Sequence, residues 1–99
     1  MAGGNDYGIP HRPDLIQDVL NKSWPPADIA RELKDRPDAI AVQVRIEFET
    51  DGEQWLDGMA RRWWKQHVCV ECLDPRLQVR YVWVDAGDVR RQATDSPSL

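Results

Sequence analysis

Residues 67–72 read HVCVEC, a histidine and a C-x-x-C pair within six positions. Those residue types can hold a zinc ion, cycle as a redox pair, or set a thiolate beside a base. Each chemistry demands a geometry. A structural zinc site takes four ligands, commonly from two knuckles. His11 is the only other histidine, and there is no second cysteine pair. A redox C-x-x-C sits in a turn or at a helix start, and this stretch has neither turn chemistry nor a helix. Its alternation reads as a strand, which turns His67 and Cys69 to one face and Cys72, with Val68 and Val70, to the other. Ligands on opposite faces close on one ion only through a bulge. The expectation is therefore Cys72 as a small core residue, Cys69 as a surface thiol, and no bound metal or cofactor.

Catalysis by other groups fares no better. Cys69 and His67 stand ~7 Å apart along a strand, too far for a direct hydrogen bond, and no third residue orients them. The serines are Ser23, at a helix start, and Ser96 and Ser98, near the C-terminus. Glu47, Glu49, Asp51 and Glu53 gather round a hairpin on its solvent face, where charge serves solubility. MAGGNDYG has glycines but neither a preceding strand nor a following Lys-Ser/Thr. The sequence assigns no catalytic residue, and we expect a protein that is not an enzyme.

Binding chemistry is denser. RRWWK, residues 61–65, sets Trp63 and Trp64 between Arg61, Arg62 and Lys65. Adjacent residues of a strand face opposite sides, so one indole enters the core and the other lies at the surface or beneath the N-terminal segment. RYVWV, residues 80–84, repeats the theme: Tyr81 and Trp83 share a face and follow Arg80. Arg and Trp are the usual anchors of protein interfaces. The expected binding residues are Arg61, Arg62, Trp63, Trp64, Lys65, Arg80, Tyr81 and Trp83. Both faces of the 80–84 strand are apolar, so it must be covered on both sides, by helices or by a partner.

The elements that position these groups follow from periodicity. Residues 1–12 have no pattern and read as a flexible tail. Leu15, Ile16, Val19 and Leu20 have helical spacing after Pro13. SWPPADIARELKDRP suggests a second helix, capped by Ser23 or Asp28 and ended by Pro37. ADIARELK resembles the first half of a helix-turn-helix, but the chain continues into a strand where the second helix would be needed. From Ile40 the period is two: Ile40, Val42, Val44, Ile46 and Phe48 face one way. Asp51-Gly52 is hairpin chemistry. A return strand runs over 53–64, with Gly58 where a bulge or bend would go. Strands at 67–73 and 77–84, a tight turn at 85–88 and a short strand at VRR complete the pattern.

At GEQWLDGMARRWW…VCV…YVWVDAGDVRR, across about residues 40–91, the chain resembles SH3-like barrels. It is also similar to short uncharacterised proteins of high-GC bacteria and their phages, which share a W-x-x-G strand and a late VWV-x-x-x-DVRR. The resemblance implies a fold and a binding role, with no functional residues to carry over. The expected fold is α+β. One or two N-terminal helices (13–37) pack on a small SH3-like antiparallel barrel of about five strands (38–91), and a flexible tail covers 92–99.

Composition bounds the role. At 99 residues there is room for one small domain. The net charge is −4, with five basic and seven acidic residues through Asp38 and eight and ten beyond it. Neither part is basic, which argues against nonspecific DNA binding. No apolar run reaches the ~20 residues of a membrane helix, and no secretory core begins the chain. The expectation is a cytoplasmic protein with reduced thiols. Its expected partner is a protein: a host protein bound by a phage or mobile-element accessory factor, or a second copy as a homodimer. The second reading is a nucleic-acid-binding barrel that stacks bases on Trp and holds phosphates with Arg and Lys.

Overall fold

The computed structural model describes residues 13–92. The expected tails, 1–12 and 92–99, lie outside the described residues except for Gln92, which is held to β1 by bonds to the Ala41 (3.2 Å) and Val42 (3.0 Å) carbonyls. Five strands carry the fold: β1 Ile40–Phe48, β2 Gly52–Trp64, β3 His67–Glu71, β4 Tyr81–Asp85 and β5 Val89–Arg91. They form one antiparallel sheet in the order β4-β3-β2-β1-β5. β4 and β5 occupy opposite edges, yet only the 3-10 turn Ala86–Asp88 joins them. In a flat sheet those edges would stand about 19 Å apart, four strand spacings. A three-residue 3-10 turn advances only about 6 Å, so the sheet must curl. No ladder joins β4 to β5, and the expected closed barrel is replaced by a curled, open sheet.

Its concave face is the core. Val42, Val44, Ile46 and Phe48 of β1 alternate inward beside Ala60, Val68, Val70, Cys72, Val82 and Val84. Gly52 turns the first hairpin with φ 74°, a conformation that costs glycine little. β2 serves both halves of the sheet, pairing first with β1 and then with β3. Its register breaks between Ala60 and Arg62. The extra residue, Arg61, shifts the inward phase, so Trp63 points into the core and Trp64 outward. The bulge thus falls three residues beyond Gly58. Gly58 instead permits a close approach of strands, because a Cβ there would lie 2.7 Å from the Glu71 carbonyl oxygen and from Val70 Cγ1. The strand expected at 77–84 starts later, at Tyr81, because residues 73–80 form the loop that holds Arg76.

The N-terminal helices are the main correction. Over 13–21 only a 3-10 turn, Pro13–Leu15, is present. The residues after it commit their backbone groups to the open seam. The Leu20 amide donates to the Glu47 carbonyl (2.8 Å) and the Asp18 carbonyl accepts from Glu49 (3.0 Å). The Ser23 amide donates to the Trp83 carbonyl (2.8 Å). Isolated bridges pair Val19 with Phe48 and Lys22 with Val84. Gln17–Ser23 is thus a strap running from the β1 edge to the β4 edge. Edge groups left unpaired are costly, and a short isolated helix is marginal, so the edges win. Helical spacing is a poor guide to facing here: Leu20 is exposed while Val19 packs on the core.

The second helix shrinks to α1, Ala27–Glu32. Its N-cap is Pro26, without a side-chain cap bond, and Leu33 is already extended. Neither Ser23 nor Asp28 caps it. The segment instead covers the convex face of β2, β3 and β4. Pro25 is buried, Asp35 pairs with Arg62 (2.8 Å), and the Arg36 amide donates to the Arg61 carbonyl (2.8 Å).

Two polar devices pin the strap. Asn21 donates from Nδ2 to the Arg45 carbonyl (2.8 Å) and to Asp88 (3.1 Å), and its Oδ1 accepts from the Glu47 amide (2.9 Å). At the Gln17 end Arg76 grips Asp74 through two bonds of 2.9 Å, reaches Asp51 at 3.0 Å, and lies 4.4 Å from the Phe48 ring centre. Its carbonyl accepts from the Gln17 amide (3.0 Å). The hydrogen bonds from Arg76 hold the Asp74 carboxyl below the usual carboxylate range, against a smaller opposing effect of burial.

Asn21→Ala strands the Glu47 amide and should destabilise the domain by about 2 kcal/mol, lowering Tm by roughly 10 °C in a thermal melt. The Asp74 linkage has a definite sign. Its folded pKa lies below the unfolded value of about 3.9, so the unfolded chain binds more protons in between, and stability is lost as pH falls through the folded value. Asp74→Asn should flatten the stability–pH curve below about pH 4, measured by urea titration, while also lowering stability at neutral pH.

Candidate functional site

The strand positions of HVCVEC fall as the alternation requires. Cys72 lies inside with Val68 and Val70, and its Sγ donates to the Asp57 carbonyl at 3.4 Å. Cys69 faces the convex side, but it is no surface thiol: it is 1% exposed, beneath the α1 segment. Burial pushes both thiols up to about 11, with Arg62 partly opposing the effect at Cys69. Among the described residues, no three His, Cys, Asp or Glu side chains gather as a metal site.

His67 turns away from the thiol. Its Nδ1 lies 3.2 Å from both the hydroxyl and the carbonyl of Ser23, and its ring stacks on Trp64 at 14° and 6.0 Å. A proton on Nδ1 satisfies the carbonyl, and the nitrogen then accepts nothing from the hydroxyl. The contact pins the end of the strap to the β2–β3 hairpin. Nothing local in the sequence announced it, since the partners are 44 residues apart.

The residues expected to bind are only partly brought together. Arg61 and Arg80 both grip Glu71, at 2.8 and 3.2 Å. Arg62 pairs with Asp35 and stands 5.6 Å from the Tyr81 ring. Each guanidinium thus has a carboxylate partner within the chain, although Arg61 and Arg80 share one. Trp63 faces the core under Arg36, which lies 4.3 Å from its ring centre. Trp64 is half-buried, with Lys65 5.0 Å over it at a turn where Lys65 takes φ 55°. Trp83 is buried at 4% exposure, so β4 is indeed covered on both faces. Tyr81, the less buried of the two β4 aromatics, lines an open groove together with Trp83.

That groove is the candidate site. It encloses about 120 Å³ between the strap and β4, lined by Lys22, Trp24, Leu77, Val79, Tyr81 and Trp83. Trp24 is 61% exposed and Val79 65%. The Trp24 ring lies 6.3 Å from Trp83 and tilted by 40°, so an exposed indole leans on a buried one. Lys22 makes no ion pair among the described residues. Residue spacing alone sets Trp24 at a helix start and gives it no part in binding. The signal for its exposure is the Pro25-Pro26 pair after it, which biases Trp24 and Pro25 toward extended backbone and holds the ring outside any helical turn.

Comparison with known proteins adds no relative: no family model, no curated protein and no solved structure matches the chain.

Buried thiols with pKa near 11 are scarcely ionised at pH 8, and the thiolate is the reactive form. The folded protein should leave Cys69 and Cys72 unmodified by Ellman's reagent for hours, and both should react within minutes in guanidinium chloride. Rapid labelling of Cys69 in the native state would mean that the α1 cover opens.

Proposed function

We propose that this chain is a small, non-catalytic protein-interaction module whose contact surface is the groove between the strap and β4. The observation that carries this reading is the exposure of Trp24, backed by buried Trp83 and fixed in place by buried Pro25. An indole left in water by a fold that buries its neighbour is a ready anchor, because a rigid aromatic gains much contact area with little loss of entropy. Val79 and Tyr81 extend the same apolar strip.

The architecture is consistent with such a role. A curled sheet in the order β4-β3-β2-β1-β5, with a 3-10 turn between its last two strands, supports reading the fold as an SH3-like plan left open at one seam. The resemblance over residues 40–91 is what supports an accessory protein of a high-GC bacterium or phage, acting on a host protein. The contact residues differ from those the sequence suggested. Trp24, Val79 and Tyr81 form the anchor, and Arg61, Arg62 and Arg80 hold the scaffold beside it through Glu71 and Asp35. Those ion pairs also weaken the nucleic-acid reading, since phosphates would have to compete with carboxylates already in place.

Trp24 touches little of the concave core, so Trp24→Ala should change Tm by only a few degrees. It should weaken binding of the protein partner at least ~30-fold, the loss expected of a hot spot. A photo-crosslinker at Val79, used in host lysate with unlabelled protein as competitor, tests this: a saturable adduct should form and vanish in the variant. Crosslinks to a second copy, with mass rising with concentration in light scattering, would identify self-association instead. A complex with oligonucleotides whose log affinity falls steeply with log salt would overturn the reading in favour of nucleic acid.

A further inference from the structure

We propose that the hollow between β5 and the bulged half of β2 binds a short aliphatic carboxylate, with its chain on the core floor and its head on Arg91. The hollow is open on one side, measures about 220 Å³ and shares no lining residue with the Trp24 groove. Its floor is core side chains seen from the open end of the curl: Val42, Ala60 and Val68. Trp63, Ile40 and Val89 make the walls. The hollow has room for a short alkyl chain rather than a large ligand. Curled sheets leave such mouths, and small ligands favour them.

Charge selects the ligand. In the β1–β5 register Arg91 stands opposite inward-facing Val42, at the rim of the hollow. It makes no ion pair or hydrogen bond with its side chain among the described residues. Arg36 stands over the Trp63 wall, 4.3 Å from its ring centre, and pairs with Asp38 at 3.2 Å. Arg90 also touches the hollow, but its guanidinium turns to the outer face, 3.9 Å over Trp55 and bonded to the Gln43 side chain at 3.1 Å. Arg91 therefore leaves one unpaired positive charge at the rim, above an apolar floor. A neutral alkane leaves Arg91 unanswered, and an alkylammonium is repelled. A carboxylate on an alkyl chain satisfies both, and the planar guanidinium suits its two oxygens.

The probe is sodium octanoate, followed by methyl NMR of the whole chain at constant ionic strength. Acetate supplies the head without the chain, and octylammonium the chain with the opposite charge. Octanoate should shift the Val42, Val68 and Val89 methyls saturably, with neither control doing so at equal concentration. Arg91→Gln should raise the Kd at least fivefold with Tm unchanged. Ala86→Leu should abolish binding by filling the hollow from its exposed rim, without cutting the core. Octylammonium binding as tightly as octanoate, an unchanged Kd in Arg91→Gln, or no saturable shift at those methyls would each overturn the proposal. None of these outcomes bears on the Trp24 groove.

Discussion

Three residues, Ala86–Asp88, tie together strands at opposite edges of a five-stranded sheet. That connection is the constraint from which the rest of the structure follows. A chain so short cannot span a flat sheet, so the sheet rolls. Rolling brings the concave valines and Phe48 together, and it carries the β1 and β4 edges toward each other without joining them. The exposed edge groups must then be answered. Gln17–Ser23 answers them with backbone hydrogen bonds to Glu47, Glu49 and Trp83. Arg76 and His67 fix the strap at its ends, and Asn21 holds it between them.

Once the strap crosses the seam, the next residues have nowhere to go but over the convex face of β3 and β4. That path buries Cys69 and Trp83 and leaves Trp24 outside, against Trp83. The apparent surplus of tryptophan is thereby sorted by depth: one is buried, one exposed, and Trp55, Trp63 and Trp64 lie between. The bulge at Arg61 has a related effect. It turns Trp63 inward as a cavity wall and Trp64 outward as a platform for His67. Basic residues that looked available for a ligand are drawn into ion pairs, because strand register sets Glu71 between Arg61 and Arg80 and the segment after α1 brings Asp35 to Arg62. What is left for binding is mainly apolar, and it lies where the curl leaves gaps.

Much of the sheet is legible directly in the residues. The alternation from Ile40 to Phe48, the Asp51-Gly52 hairpin and the opposite facing of Cys69 and Cys72 depend only on the period of an extended chain. The departures are just as specific. Leu15, Ile16, Val19 and Leu20 keep helical spacing, but no local rule weighs that spacing against a sheet edge that needs partners. His67 and Glu71 make the strand face of Cys69 look polar and its thiol look exposed, yet the cover comes from residues more than thirty positions earlier. Trp24 is hidden from a local reading for the same reason. Its exposure depends on where the strap ends, and that depends on β4.

The residues alone therefore determined what is local: extended segments, their turns, and which side chains share a face. These follow from backbone sterics and a two-residue period, and need no knowledge of neighbours. Only the folded chain decided which edges lie close, which face is covered, and which arginines are already paired. Those outcomes hang on groups distant in sequence competing for the same hydrogen bonds and the same apolar surface, and the competition has no result until the sheet has curled.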